Sequence, residues 1–218
     1  MNWLEHVVAS LNTVLFTVGN EPVSWASLFG FGTSLACVGL AVASRVSNFA
    51  FGIVNAGFGI PLAMVGHNTP ALVEGGVFVV LGIVGWRLWL RGGPGGGRLP
   101  VGWAGNRVLV GCVVFVVLAA VGLTVLYMSS GNKYALWNGP LVAVSLAAQY
   151  LLNTKKAQTW ILWAITDLGY VPLLVMLDLR LSLVVYSVSG LLSVVGLRLW
   201  LMRIRSEQRT APPVLAAH

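Results

Sequence analysis

Seven stretches of this chain are long and apolar enough to cross a bilayer as helices, and no other feature constrains the fold so tightly. They run over Trp25–Ser44, Ser47–Gly66, Ala71–Leu90, Val108–Met128, Ala135–Leu152, Thr159–Leu177 and Leu181–Met202. A helix needs about 20 predominantly apolar residues to cross roughly 30 Å of hydrocarbon. Of the 218 residues, 57% are hydrophobic and 9% charged, with a mean hydropathy of +0.86. Soluble domains carry about a quarter charged residues. A water-soluble core has no room for this much apolar surface, whereas lipid removes the need to hide it. The fold class is therefore an all-α membrane protein with seven transmembrane helices.

Basic residues orient the spans, because cytoplasmic loops hold the excess of Lys and Arg. With the amino terminus outside, Arg45, Arg91, Arg98, Arg107, Lys155, Lys156, Arg203, Arg205 and Arg209 all fall on the cytoplasmic side. Lys133 and Arg180 are left outside with Glu5, Glu21 and Asp178. The net charge of +7 thus follows from topology, and no nucleic-acid face is needed to explain it. A multi-pass protein of a bacterial-type inner membrane is expected, with its carboxyl terminus in the cytoplasm.

The first residues form an apolar stripe of Trp3, Leu4, Val7, Val8, Leu11, Leu15 and Phe16, broken by Glu5, His6 and Asn12. That pattern suits an interfacial amphipathic helix better than an eighth span. Met1–Asn20 contains Glu5 and lacks a basic leading region, so no cleavable leader is expected. The run from Arg91 to Pro100 is a flexible loop by composition, and it lacks the Lys-Ser/Thr that would complete a phosphate-binding loop.

An internal repeat organises the spans. Gly85-Trp-Arg-Leu-Trp-Leu90 matches Gly196-Leu-Arg-Leu-Trp-Leu201 at an offset of 111 residues, and the same offset aligns Pro61-Leu62 with Pro172-Leu173 and Arg45 with Lys156. Spans one to three then duplicate spans five to seven. A single spacer helix returns the chain to its starting side, so the two triplets point the same way. The expected plan is a 3+1+3 arrangement of two parallel three-helix repeats, with a solute site between them near the midplane. By residue number, the chain divides into an interfacial segment (1–23), a first repeat (24–90), a Gly/Pro-rich cytoplasmic loop (91–107), a linker helix with its outer loop (108–134), a second repeat (135–204) and a cytoplasmic tail (205–218).

Polar side chains at membrane depth are expensive and mark function. Trp160, Trp163, Asp167 and Tyr170 share one helical face. Indole faces attract cations and a carboxylate supplies a counter-ion, so this stripe suits a flat cationic solute. Asn48 and Asn55 share a stripe on the second span with Gly52 between them, Gln149 lies one turn from both Ser145 and Asn153, and Tyr186 offers a hydroxyl on the last span. Helix-to-helix contacts are the competing reading for the amides, pairing with another helix for Asp167, and interfacial anchoring for Trp160, Trp163 and Tyr186. Glu74 reads as a wetted entrance residue. Cys37 and Cys112 sit in apolar runs, His6 and His67 are isolated, and neither a metal-ligand cluster nor a catalytic motif is present. No metal, cofactor or enzymatic activity is expected.

Gln149-Tyr-Leu-Leu-Asn-Thr-Lys-Lys156 followed by Trp160-x-x-Trp163-x-x-x-Asp167 resembles the second-half signature of PnuC-type vitamin transporters. Leu81-Gly-Ile-Val-Gly-Trp-Arg-Leu-Trp89 and Asn48-Phe49-x-x-Gly52-Ile53-x-Asn55 resemble the first-half counterparts, so the likeness runs from about Trp25 to Trp200. The resemblance implies a fold similar to the SWEET proteins and uptake of nicotinamide riboside by facilitated diffusion, trapped by cytosolic phosphorylation. It implies substrate contacts at Trp160, Trp163, Asp167, Gln149, Asn48 and Asn55, and at Tyr186. Gly75 and Phe78 stand where many members carry Gln and Tyr, and Asp178-Leu179-Arg180 stands where Gly-Leu-Tyr is usual. Relatives carry thiamine or riboflavin, so both stay open as substrates, as does a non-transporting scaffold or sensor and the question of a homo-oligomer.

Overall fold

The computed structural model describes residues 3–210. Helix α1 (Trp3–Leu11) leads into a hairpin of β1 (Val14–Val18) and β2 (Glu21–Ser24). Helices α2 (Trp25–Val42), α3 (Asn48–Val65), α4 (Thr69–Arg91), α5 (Asn106–Ser129), α6 (Ala135–Asn153), α7 (Thr159–Met176) and α8 (Arg180–Thr210) follow. Among the described residues, these last seven helices are the ones long and apolar enough to cross a membrane.

Three sequence expectations need adjustment. The stripe read as one amphipathic helix over 1–23 is helical only to Leu11. Beyond it, the run Val14-Leu-Phe-Thr-Val18, rich in β-branched and aromatic side chains, pairs with β2 across the two-residue turn Gly19-Asn20, and Gly19 takes the positive φ of 65° that such turns demand. The last helix continues past residue 204 to Thr210, and the rest of the expected tail, 211–218, lies outside the described residues. The run from Arg91 to Pro100, expected to be flexible, is held at Leu99, whose N–H donates to the Trp89 carbonyl (3.3 Å) and whose carbonyl accepts from Lys155 Nζ (2.8 Å), and the residues after it are held as well. Gly102 N–H donates to the Lys155 carbonyl (3.1 Å), Ala157 N–H to the Gly102 carbonyl (2.9 Å), and the Gln158 amide bonds both backbone groups of Ala104.

Packing closes the spans into a ring. Helices α2, α3 and α4 pack in sequence, as do α6, α7 and α8, while α4 meets α6 and α8 meets α2. Helix α5 lies outside this ring, chiefly against α6. A Cβ at Gly139 would strike the Thr124 backbone, so the missing side chain is what lets those two helices approach. Val113, Val117, Val121 and Val125 of α5 are each more than half exposed. Such a helix is stable against lipid tails, not against water.

The 111-residue offset recurs in the geometry. Both ends of α3 and α7 differ by that interval, as do the first residues of α4 and α8. Pro61 and Pro172 sit inside α3 and α7, each removing one helical hydrogen bond at the same level. The turns leaving α2 and α6 place Ser44 (φ 54°) and Lys155 (φ 57°) in the left-handed region, and those leaving α3 and α7 do the same to His67 (φ 50°) and Asp178 (φ 54°). Phe49 meets Trp89 edge-on at 5.1 Å and 88°, and Trp160 meets Trp200 at 5.4 Å and 89°. Both partners of one pair are displaced by the same interval from those of the other.

Helix starts differ between the triplets. Ser24 and Ser27 cap α2 reciprocally. Asn68 caps α4 by accepting from Ala71 N–H at 3.1 Å. The equivalent position before α8 is Leu179, which cannot accept. Glu21 of the hairpin fills the gap: its carboxylate takes Ser182 N–H at 2.9 Å and Ser182 Oγ at 2.6 Å. Asn20 N–H adds a bond to the Asp178 carbonyl at 2.9 Å, so the hairpin joins the start of α2 to the α7–α8 turn.

Candidate functional site

At the face of the ring that carries Arg45, Arg98, Lys155 and Arg203, hereafter the basic face, the interior is filled. Val42, Phe49, Trp89, Leu152, Trp160 and Trp200 form one buried cluster, to which every ring helix contributes. Trp89 and Trp200 meet at 5.9 Å between the two triplets, and Trp89 Nε1 donates to the Leu152 carbonyl at 2.9 Å. Lys155 lies 4.5 Å from the Trp89 ring centroid and donates to the Leu99 carbonyl at 2.8 Å. Burial lowers its ammonium below the ordinary lysine range, with nearby Arg203 and Arg98 adding to the effect. A second buried link lies just deeper, where Gln149 Nε2 donates to Asn153 Oδ1 (2.9 Å) and Asn153 Nδ2 to the Leu81 carbonyl (2.8 Å). Gly85 admits this bridge, since a Cβ there would collide with Asn153 and Phe49.

Toward the opposite, hairpin face the ring holds a group of polar and aromatic side chains. Tyr170 and Tyr186 meet at 5.2 Å. Asp167, three residues before Tyr170, lies within electrostatic range of Tyr186. Its residue is only 8% exposed, yet its carboxylate makes no hydrogen bond or ion pair among the described residues. Glu74 of α4 accepts a hydrogen bond from the Tyr127 hydroxyl of α5. Neither Asp167 nor Glu74 makes an ion pair among the described residues. Chemically, this is an arrangement that accepts a positively charged, flat organic solute: carboxylates for charge, rings for faces and phenols for hydroxyls.

The residues singled out from sequence fall into three groups. Asp167 and Tyr186 come together, with Tyr170 beside them. Trp163 is half-buried one turn from Asp167 toward the basic face. Gln149 is buried in the inter-triplet bridge just described. Asn55 uses its amide to hold α3 to α2, donating to the Gly30 carbonyl and to Thr33 Oγ1, both at 2.7 Å. Asn48 and Trp160 lie apart from that group. Asn48 is 1% exposed at the start of α3 and donates to the Arg45 carbonyl at 2.6 Å. Trp160 is buried in the aromatic cluster, one ring face against Gly196, where a Cβ would strike the indole. Its Nε1 has no partner among the described residues.

Sequence reasoning passed over Tyr127 and undervalued Asn153. The signal for Tyr127 was a lone phenol at the end of the most apolar span, which reads equally well as an interfacial anchor. For Asn153 it was position at a helix end, which looks like ordinary termination. Two apolar grooves of about 420 and 410 Å³ open on the outside of the ring, one along α7 and α8 and one between α4, α5 and α6. Trp160 lines the first of them, but neither Asp167 nor Tyr186 lines either, so the grooves do not coincide with the group around Asp167. No group of metal-binding residues is present among the described residues.

Comparison with known proteins adds the following. The sequence model of a family described as nicotinamide mononucleotide transporter matches residues 24–202. The chain is 23% identical over 216 residues to nicotinamide riboside transporter PnuC of Escherichia coli strain K12, covering 87% of this chain and 90% of that protein. It is 26% identical over 227 residues to riboflavin/roseoflavin transporter RibM of Streptomyces davaonensis, covering 99% and 98%. A crystal structure of the vitamin B3 transporter PnuC superimposes with a TM-score of 0.62 at 20% identity, covering 94% of this chain and 91% of that one. At that identity the structural likeness is one of fold.

Proposed function

The chain belongs to the nicotinamide mononucleotide transporter family, and on that premise we propose that it carries nicotinamide riboside into the cell by facilitated diffusion. The observation that carries this reading is Asp167: a buried carboxylate, unpaired among the described residues, beside two tyrosines and one turn from Trp163. A carboxylate at membrane depth costs roughly 3 kcal/mol on insertion scales, and a bound pyridinium offsets that cost. The same charge disfavours a solute bearing a phosphate, which selects the riboside over the mononucleotide.

In this reading Trp163, Tyr170 and Tyr186 face the pyridinium and ribose, and Asp167 balances the ring's charge. Gln149 contributes from the inter-triplet bridge, and Asn55 through the oxygen its amide leaves free. Asn48 and Trp160, expected as direct contacts, are read here as supports for the basic-face cluster, the first through its bond to Arg45 and the second through its packing on Gly196. The two triplets serve as parallel repeats that rock against each other. The packed aromatic cluster keeps the pathway shut at the basic face, which the distribution of arginines and lysines assigns to the cytoplasm. The protein sits in the inner membrane with its amino terminus outside.

Isothermal titration of the purified protein with nicotinamide riboside, thiamine and riboflavin tests the assignment. Asp167→Asn weakens either cation by about tenfold or more and leaves uncharged riboflavin within about threefold. Equal losses for all three would remove the counter-ion role. Absence of binding to any of them would favour a scaffold or sensor. A riboflavin carrier is the second reading, supported by the RibM relative that aligns along 99% of this chain; it predicts indifference to Asp167→Asn.

A further inference from the structure

The amino-terminal hairpin belongs to the first triplet by chain continuity, since β2 runs directly into α2 and Ser24 caps that helix. Its tip is bonded to the second. The α7–α8 turn leaves end groups of both helices without helical partners, and the hairpin meets them in order. Asn20 Nδ2 donates to the Leu177 carbonyl (3.4 Å) and Asn20 N–H to the Asp178 carbonyl (2.9 Å). The Glu21 carboxylate then accepts from Ser182 N–H (2.9 Å) and Ser182 Oγ (2.6 Å). Gly19 lies so close to this turn that a Cβ there would strike the Asp178 carbonyl oxygen. Glu21 is only 7% exposed, and its buried carboxylate depends on both bonds. The matching turn between α3 and α4 closes on itself, with Asn68 capping α4 from within.

The two seams between the triplets are therefore fastened differently. The α2–α8 seam is bonded at both ends: by the hairpin at one face, and at the basic face by Arg203, whose guanidinium donates to the Ala43 carbonyl closing α2 (3.2 Å). The direct hydrogen bonds between α4 and α6, from Asn153 to Leu81 and from Trp89 to Leu152, both lie in the basic-side half of those helices. Nearer the hairpin face, α4 reaches the α5–α6 pair among the described residues through one side-chain bond, from Tyr127 to Glu74. Two bodies held at both ends of one seam and at one end of the other part most readily where the bonding stops.

We propose that the hairpin is a tether that keeps the α2–α8 seam closed while the triplets rock, so that they part toward the hairpin face along the α4–α6 seam. This deepens the rocking-carrier reading and rests on it. Opening the α2–α8 seam at that face breaks four hydrogen bonds together, two of them to a buried carboxylate. The groove of about 410 Å³, lined by Val77 of α4 and Leu146 of α6 among others, lies along the seam left free to move.

The test cross-links each seam in turn, in protein carrying Cys37→Ala and Cys112→Ala, reconstituted in liposomes and assayed for uptake of radiolabelled nicotinamide riboside, thiamine and riboflavin. A short bis-methanethiosulfonate joins Glu21→Cys to Ser182→Cys across the strap, or Val77→Cys to Leu146→Cys across the groove. Each cross-linked sample is compared with its own reduced form, so that the cost of the substitutions cancels. Cross-linking the strap is expected to leave uptake within about twofold, and cross-linking the groove to lower it about tenfold or more, with recovery on reduction. Asn20→Cys with Leu179→Cys, a second strap pair that keeps Glu21, is expected to behave as the first. The proposal is overturned if a cross-linked strap stops uptake as fully as the cross-linked groove, which would make the hairpin a latch that has to release. It is equally overturned if the cross-linked groove leaves uptake unchanged. Either result in a protein whose unmodified form transports defeats this inference alone. If wild type takes up none of the three solutes, the carrier reading fails and takes this inference with it.

Discussion

The two three-helix halves share a framework and differ in chemistry. Prolines, left-handed turns and the edge-on aromatic pair recur at one interval in α2–α4 and α6–α8. The polar wall of the candidate site does not recur. At the positions matching Trp163, Asp167, Tyr170 and Tyr186, the first half has Gly52, Ala56, Gly59 and Gly75. Conversely, Glu74 is matched by Val185. Several positions that shape the framework recur in both halves, whereas the Gln149–Asn153 bridge and the polar groups around Asp167 occur in the second alone. Around Asp167 the second half presents large polar and aromatic groups at positions where the first has small residues.

Truncating the aromatic pair at the ring's centre should break the framework most severely. Trp89→Ala is expected to cost about 3 kcal/mol, and about 1 kcal/mol more than Trp200→Ala, because only Trp89 donates a hydrogen bond, to Leu152. Thermal unfolding of the detergent-purified variants measures both, and equal losses would show that the bond contributes nothing. Next in size is the contrast between neighbouring indoles. Trp163→Ala should weaken nicotinamide riboside by about 2 kcal/mol with little change in melting temperature, and Trp160→Ala should do the reverse. A strong melting shift for Trp163→Ala would return that residue to the framework.

The helix starts give a smaller effect. Asn68→Ala and Glu21→Ala should each cost about 1 kcal/mol, since both remove an acceptor from the same N–H of matched helices. Adding Leu179→Asn to Glu21→Ala should recover part of the second loss. No recovery would mean that Glu21 acts by fastening the hairpin and not by capping. The smallest effect is in pH. Burial lowers Lys155 below its ordinary value of 10.5, so between the lowered value and 10.5 the unfolded chain binds more protons than the folded one. Stability should therefore rise with pH across that window. Lys155→Gln should flatten the rise. Ser44, its counterpart, has no titrating group and predicts no such slope in the first half.

Much of the architecture was legible before any coordinates because its causes are local. Span length and hydropathy follow from the bilayer's thickness, and α3 and α7 end within a residue or two of where composition places them. Asp167 was legible because a carboxylate in hydrocarbon demands a reason. The amino-terminal hairpin was not, since seven apolar residues at mixed spacing satisfy a helix stripe as readily as a strand. Trp160 and Trp163 were indistinguishable, being one turn apart on the same face.

By itself, then, the sequence determined that this chain spans a membrane seven times and which polar groups its helices must carry into the lipid's depth. The tertiary structure decided which of those groups are already satisfied. Gly196, 36 residues beyond Trp160, gives that indole a wall to rest on. Leu81 takes the amide of Asn153, and Tyr127 takes Glu74. Asp167 finds no such partner among the described residues. A hydrogen bond closes over about 3 Å wherever the chain brings its partner, and that distance is set by packing between helices, not by spacing along any one of them.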